Sequence, residues 1–410
     1  MKYYKNTELA KLYNISEKSV RNWIEGTQTG RLELELFESN GKQYIANTSR
    51  NTLAIEELVK KGKKYRNTRG FKTISPTQKF NELYSTKQIL DIIANIDVHH
   101  EIPYQYNYFD GGAQHWNDYT QRLLEEKVPS TLTSTIEQLT VNAPYLETLL
   151  EDHDFVNVID IGVGNCLPVR DFLSTLAQQG RLKRYIAVDV SQDMLKIAEK
   201  NIKDWFGDSV HFEGYVRDMS YERFDDLLTN ESFDSDTNNT ANIITLFGGT
   251  IQNLREPGRA LRTINDSMGK HDLLITDTKL DSEKSRRYFD FASSANTKAP
   301  FAGFRGKSML DLLNIEPSFY SLEQFFDGQK MMRLARVTLD VALSIEFKLK
   351  GGKRTVDLNK GDKIHLWRAQ HLNTLQLVQL YDKNDFDLVF TSLSKDREYL
   401  LAIFKVKTNL

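Results

Sequence analysis

Residues 155–178 read FVNVIDIGVGNCLPVRDFLSTLAQ, and this stretch constrains the fold more than any other. Its opening residues are almost continuously apolar rather than alternating, the pattern of a strand covered on both faces inside a parallel sheet. Gly162 and Gly164 bracket a turn, and apolar residues at helical spacing follow. Glycine suits such a turn because the backbone must reverse sharply and admit a ligand with no Cβ in the way. A second run, RYIAVDVS, ends in Asp189, 27 residues beyond Gly162. Two strand–turn–helix units in succession imply an open α/β sheet, whose ligands bind beyond the carboxyl ends of the strands.

The spacing points to a nucleoside cofactor. Asp189 is placed to accept hydrogen bonds from both ribose hydroxyls. The full G-x-G-x-x-G pattern is missing, because position 167 is Leu and Pro168 opens the helix, which disfavours a dinucleotide pyrophosphate. Met194 falls near the adenine position, and beyond a third strand expected at 210–215, Asp218 and Met219 are placed to meet the adenine amine and ring. Asp160, Gly162, Gly164, Asp189 and Asp218 thus end three successive strands, with Arg170 as a further cofactor-side candidate. Each has a plain structural alternative: the aspartates as helix caps, Met194 as core. NIITLFGG and HDLLITDT read as a fourth and fifth strand, and FDLVFTSLS with EYLLAIFKVK as a terminal antiparallel hairpin. The V-D-x-S-x-x-M-L text from Val188 resembles the second motif of class I methyltransferases, and the succession of strands is similar to their sheet. That resemblance implies a Rossmann-like α/β core and S-adenosyl-L-methionine as cofactor.

Three further stretches resemble one family, the histidine Nα-methyltransferases of ergothioneine biosynthesis. YFDGGAQHW is similar to its Y-D-x-x-G-S-x-L-F segment, which the resemblance implies folds over the cofactor, LFGGTIQNLREPGRAL to its F-L-G-S-T-I-G-N-L, and TDTKLDSEKSRRYFD to its T-D-x-x-K-D with a downstream Y-D. The likeness covers roughly residues 100–410. It implies that Asn253 holds the acceptor amino acid, that Tyr288 or Phe289 walls its site, and that an inserted α+β domain, 299–364, covers it. Tyr106, Phe109 and Trp367 are expected as further walls. Two motifs depart. KVPSTLTSTIE lacks the tyrosines and arginine of the family's Y-Y-P-T-R. The I-H-T-E-x-S segment, whose Glu and Ser grip the imidazole, reads Ile364-His365-Leu366-Trp367-Arg368-Ala369. Fold, cofactor and methyl transfer carry over; histidine as substrate does not. The expected activity is methylation, at nitrogen first, of a small amino-acid-like or other flexible molecule, achieved mainly by positioning.

Residues 6–26 read as helix, turn and helix, with Thr7 and Ser16 as caps and Asn14 in the turn, over a small core of Leu9, Ala10, Ile15, Val20 and Trp23. LELELFESNGKQYIAN then alternates about Asn40-Gly41, a hairpin signal. The whole resembles the winged helix-turn-helix of MerR-type regulators, which implies DNA contact through Ser16, Lys18, Ser19, Arg21 and Asn22. The alternative is a module that binds protein. Residues 1–75 carry 15 Lys/Arg against 8 Asp/Glu in a chain of net charge −2, so the two ends face different partners. The expected partition is a winged-helix module over 1–57, a basic linker over 58–80, the methyltransferase core over 81–298 and 365–410, and the insertion between. A DNA-binding regulator sensing the cofactor, and a nucleic-acid methyltransferase, are the competing readings. No metal site is expected: the one cysteine, Cys166, has no zinc-spaced partners, and the adjacent His99 and His100 point apart in a strand. The start lacks a secretory pattern and no run is long enough to span a bilayer, so a cytoplasmic protein is expected.

Overall fold

The structure, a computed structural model, describes residues 3–13, 15–30, 32–68, 70–228, 239–283, 286 and 307–408. Asn14, Tyr288, Phe289 and the start of the expected insertion, 299–306, lie outside them. The chain forms two compact units, one of residues 1–73 with 341–344, the other of 74–340 with 345–410.

In the first unit, β1 (Tyr3–Tyr4) precedes the helices Asn6–Leu12 and Glu17–Gln28, then β2 (Leu36–Ser39), β3 (Lys42–Ala46) and the helix Ser49–Thr68. Lys5, not Thr7, occupies the first cap position, whereas the Ser16 side chain accepts from the Ser19 amide at 3.1 Å, as its position before a helical run demands. Asn40 and Gly41 both have positive φ, 52° and 70°, the two-residue turn that matches strand twist. Leu9, Val20, Ile24, Ile45 and Ile55 form the core, with Ile15 and Trp23 half-buried against it. The last helix runs to Thr68, so residues 58–68 extend a helix where a linker was expected. Lysine and arginine are good helix formers, and one internal glycine costs only about 1 kcal/mol. β4 (Lys72–Ile74) follows.

The second unit is built on β5 (Phe155–Ile161), β6 (Leu182–Asp189), β7 (Phe212–Val216), β8 (Thr240–Leu246) and β9 (Leu273–Lys279). The insertion contributes β10 (Tyr320–Asp327), β11 (Met332–Leu339), β12 (Leu343–Leu349), β13 (Gly352–Leu358) and β14 (Lys363–Gln370), and the chain ends in β15 (Phe386–Leu393) and β16 (Tyr399–Val406). One sheet has the order β15-β16-β9-β8-β5-β6-β7, parallel except for β16 and β15, so the terminal hairpin enters it antiparallel. Val156 and Val158 of β5 face one core with the helices Arg170–Gln178 and Gln192–Phe206; Ile159 and Ile161 face another with Pro257–Ser267 and Thr374–Asp382. This two-sided burial is what the continuous apolar run encodes. β10, β11 and β14 form a separate antiparallel sheet. β14 runs across the expected domain boundary at 364/365.

Candidate active site

Beyond the carboxyl ends of β5, β6 and β7 lies a cavity of about 600 Å³. β5 delivers Asp160 and then Gly162 and Gly164, whose φ of +66° and +55° fall in the left-handed region. A Cβ on Gly162 would meet Thr250 Oγ1 at an ordinary 3.5 Å, so the backbone angle, not space, requires glycine there. Asp160 accepts from Thr245 Oγ1 at 2.7 Å and from the Tyr185 hydroxyl at 3.0 Å. Both its oxygens brace the strand tips, and burial pushes its carboxyl up to about 7.

Asp189, at the end of β6, accepts from the Ser191 amide at 2.9 Å. Burial raises its carboxyl to about 6, against the lowering effect of the Ser191, Gly164 and Val190 amides, so it is mainly ionised at neutral pH. Asp218, just after β7, accepts from the Ser220 amide at 2.9 Å and is also raised by burial. Met194 and Met219 line the same space. Arg217 is forked onto Asp226 with two bonds of 2.6 Å and donates its amide to the Asp189 carbonyl at 3.0 Å, which fixes the loop. The arrangement fits an adenosyl group: acceptors for ribose hydroxyls and an adenine amine, thioether walls for a flat ring, and a turn free of Cβ atoms.

Arg170 does not join them. It opens its helix paired to Asp171 at 3.0 Å, with its guanidinium 5.7 Å from the Trp205 ring, away from the cavity lining.

After β8, Gly248 and Gly249, with φ of 78° and 73°, lead into the short helix Thr250–Asn253. Gln252 donates to the Lys279 carbonyl at 2.9 Å, pinning that helix to the end of β9, and Asn253 lines the cavity. The opposite wall is aromatic: Tyr104, Tyr108, Trp116 and Tyr119. The hydroxyls of Tyr104 and Tyr108 meet at 2.6 Å. Tyr106 and Phe109, expected as walls, pack away from the cavity instead. Tyr106 is buried, its ring 5.4 Å from Tyr84 and its hydroxyl donating to Asp91 at 2.9 Å, and Phe109 lies 5.1 Å from Tyr84. YQYNYF forms a tight helical turn of three residues per turn, so its side chains point three ways: Tyr104 and Tyr108 meet at the cavity through their hydroxyls, and Tyr106 points into the core. Residue type alone does not give that rotation.

The far wall belongs to the insertion. Cross-strand pairing sets Gln324, Ala335 and Trp367 in one row and Phe326, Arg333 and Ala369 in the next. Trp367 and Ala369 both line the cavity, as alternate residues of one strand should, together with Gln324, Arg333 and Ala335. Lys279, Glu398 and Tyr399 complete the rim. His371, also on the lining, is kept neutral, its imidazole pulled down to about 3 by burial and by Arg333. Tyr104, Arg333 and Glu398 were missed by sequence reasoning, and Tyr108 and Trp116 lay in the segment YFDGGAQHW without being singled out; the density of aromatic residues over 104–119 was the available signal. In the N-terminal unit Ser16, Lys18, Arg21 and Asn22 are exposed, and Ser19 is half-buried. Among the described residues no group of three or more His, Cys, Asp or Glu is arranged to hold a metal ion.

A parallel sheet with an antiparallel hairpin at one side, and carboxylates at the tips of adjacent strands, define a class I methyltransferase fold. A family model described as "Histidine-specific methyltransferase, SAM-dependent" matches residues 86–406, and the chain belongs to that family. It is an S-adenosylmethionine-dependent methyltransferase. Similar solved structures include an S-adenosylmethionine-dependent methyltransferase from Clostridium acetobutylicum ATCC 824, 11% identical over 72% of this chain and 100% of that one, with a TM-score of 0.41. The PH0226 protein from Pyrococcus horikoshii OT3 is 14% identical over 66% and 91%, with a TM-score of 0.37. The glycopeptide N-methyltransferase MtfA, complexed with S-adenosyl-L-methionine, is 12% identical over 67% and 94%, with a TM-score of 0.33. No curated protein matches the sequence. No helix among the described residues is long and apolar enough to cross a membrane.

Proposed function

We propose that the chain methylates the amino nitrogen of a small amino-acid-like molecule whose side chain lies against Trp367 rather than in a polar imidazole clamp. One observation carries the reading: Asp189, Asp218, Asn253, Tyr108 and Trp367, from five separate stretches of chain, line a single cavity. S-adenosylmethionine supplies an already activated methyl group when bound. Asp189 and Asp218 hold its ribose and adenine ends, and Gly162 and Gly164 let the backbone approach. The remaining task is to hold a nitrogen lone pair in line, a matter of orientation more than of covalent help. Asn253 and the Tyr104–Tyr108 hydroxyl pair supply polar contacts for the amino-acid head. Trp367 and Ala369 offer the side chain a flat ring and open space, with Arg333 across the sheet from Ala369.

Calorimetry with S-adenosylmethionine and S-adenosylhomocysteine, then mass spectrometry for a 14-dalton gain across the common amino acids, tests the reading. The expected result is tight cofactor binding and a methylated amine other than histidine as the best acceptor. No heat with either cofactor form, or no methylated amine, overturns it. DNA contact through the N-terminal unit is a separate proposal, supported by the exposure of Lys18, Arg21 and Asn22. Salt-dependent binding of duplex DNA to the full chain tests that one.

A further inference from the structure

We infer that Glu101 and Arg368 are a positioning pair, which locks the aromatic wall of the cavity to the Trp367 wall from behind and thereby sets the acceptor site. The inference rests on the acceptor reading above.

Trp367 and Ala369 face the cavity, so the intervening Arg368 points out of the opposite side of β14. There one guanidinium nitrogen meets Glu101 Oε2 at 2.5 Å, with the two side chains only 14% and 11% exposed. Glu101 is not at a random point of the chain. Residues 100–102 lie alongside β14, with Glu101 bridged in parallel to His365, the Ile102 amide donating to the His365 carbonyl and the His365 amide to the His100 carbonyl, both at 2.8 Å. Two residues later begins Tyr104–Tyr108, the turn that carries the aromatic wall. One short contact thus joins two walls separated by more than 250 residues of sequence.

The surroundings make the pair directional. Of the other groups that act on Glu101, Arg255 and His99, the arginine donates instead to Asn95 Oδ1 at 3.2 Å. His365 is held neutral, pulled down to about 4 by burial and by Arg368 and Arg336, so it adds no charge beside the pair. A largely buried carboxylate and guanidinium in contact keep one geometry, because losing either partner strands the other's charge away from water. Neither residue lines the cavity, so their effect on the acceptor passes through Tyr104, Tyr108 and Trp367.

Glu101→Gln and the charge-free double variant E101M/R368M test this in the full chain loaded with S-adenosylhomocysteine. Hydrogen exchange should rise together in 100–108 and 364–370 and stay unchanged in 155–161. With L-histidine, L-phenylalanine and L-glutamate as probes, the ratio of their kcat/KM values should shift by about tenfold or more in both variants. The double variant guards against misfolding, since an apolar pair of similar volume is tolerated where a lone charge is not. Unchanged exchange, a rise in only one of the two segments, a rise that includes 155–161, or constant acceptor ratios would each overturn the inference. If no amino acid is methylated, the functional reading falls, and the exchange pattern still decides this one.

Discussion

Asp189 should be the residue on which cofactor affinity most depends. Replacing it by Ala removes an ionised acceptor for two hydroxyls, which should cost about 3 kcal/mol, or about 100-fold in S-adenosylmethionine Kd by calorimetry. Its carboxyl sits at about 6, so affinity should hold above that pH and weaken as pH falls through it, when protonation removes the acceptor. Folding stability should move the other way. Asp160 and Asp277 are raised to about 7 by burial, Asp277 accepting from Thr135 at 2.8 Å. A carboxyl whose folded pKa lies above its unfolded value of about 3.9 favours the folded state at low pH and loses that contribution as pH rises through the folded pKa. Cofactor-free Tm should therefore decline between about pH 4 and 7, and Asp277→Asn should flatten the decline; a slope unchanged by that substitution would refute the assignment. At this scale the sequence was legible where chemistry fixes type and place together, as at Asp189 and Gly162. It was not legible where the rotation of a short helical turn decides, as between Tyr104 and Tyr106, or where a charge such as Arg170 merely happens to open a helix.

Elements were legible in proportion to how fully they are buried. β5, β6, β8 and β9 announce themselves as apolar runs between turn residues, and the hairpin of β2 and β3 is marked by Asn40-Gly41. The helix Ser49–Thr68 was cut short in the sequence reading because a basic, glycine-containing stretch mimics a linker. Strands β10–β14 lack a continuous apolar signature, since each covers only one face, and were expected only as an α+β insertion. Two substitutions test this scale. Gly162→Ala places a Cβ in the left-handed region and should cost about 1–2 kcal/mol of stability, together with cofactor affinity. Ser16→Ala removes an amide acceptor at the start of the second helix and should lower the stability of the N-terminal unit by about 1 kcal/mol in thermal unfolding, with cofactor binding unchanged. On β14, a W367E/A369S double variant places a hydrogen-bonding pair where ring and space now stand. It should raise kcat/KM for L-histidine relative to wild type by about tenfold; no gain would show that the far wall does not choose the acceptor.

At the scale of the whole molecule, the order of the main sheet and its antiparallel hairpin followed from the strand succession and the family likeness. The meeting of the aromatic wall with β14 did not, because it depends on long-range pairing of 100–102 with that strand. The direction of β16 has one more consequence. β5, β6, β7, β8 and β9 run toward the cavity and reach it at their carboxyl ends, whereas β16 runs away and presents its first residue, Tyr399, opposite Lys279. A saturating mutational scan for activity should thus find its intolerant positions at the ends of five strands and at the start of the sixth, a mirror-image profile that marks which way each segment points at the ligand.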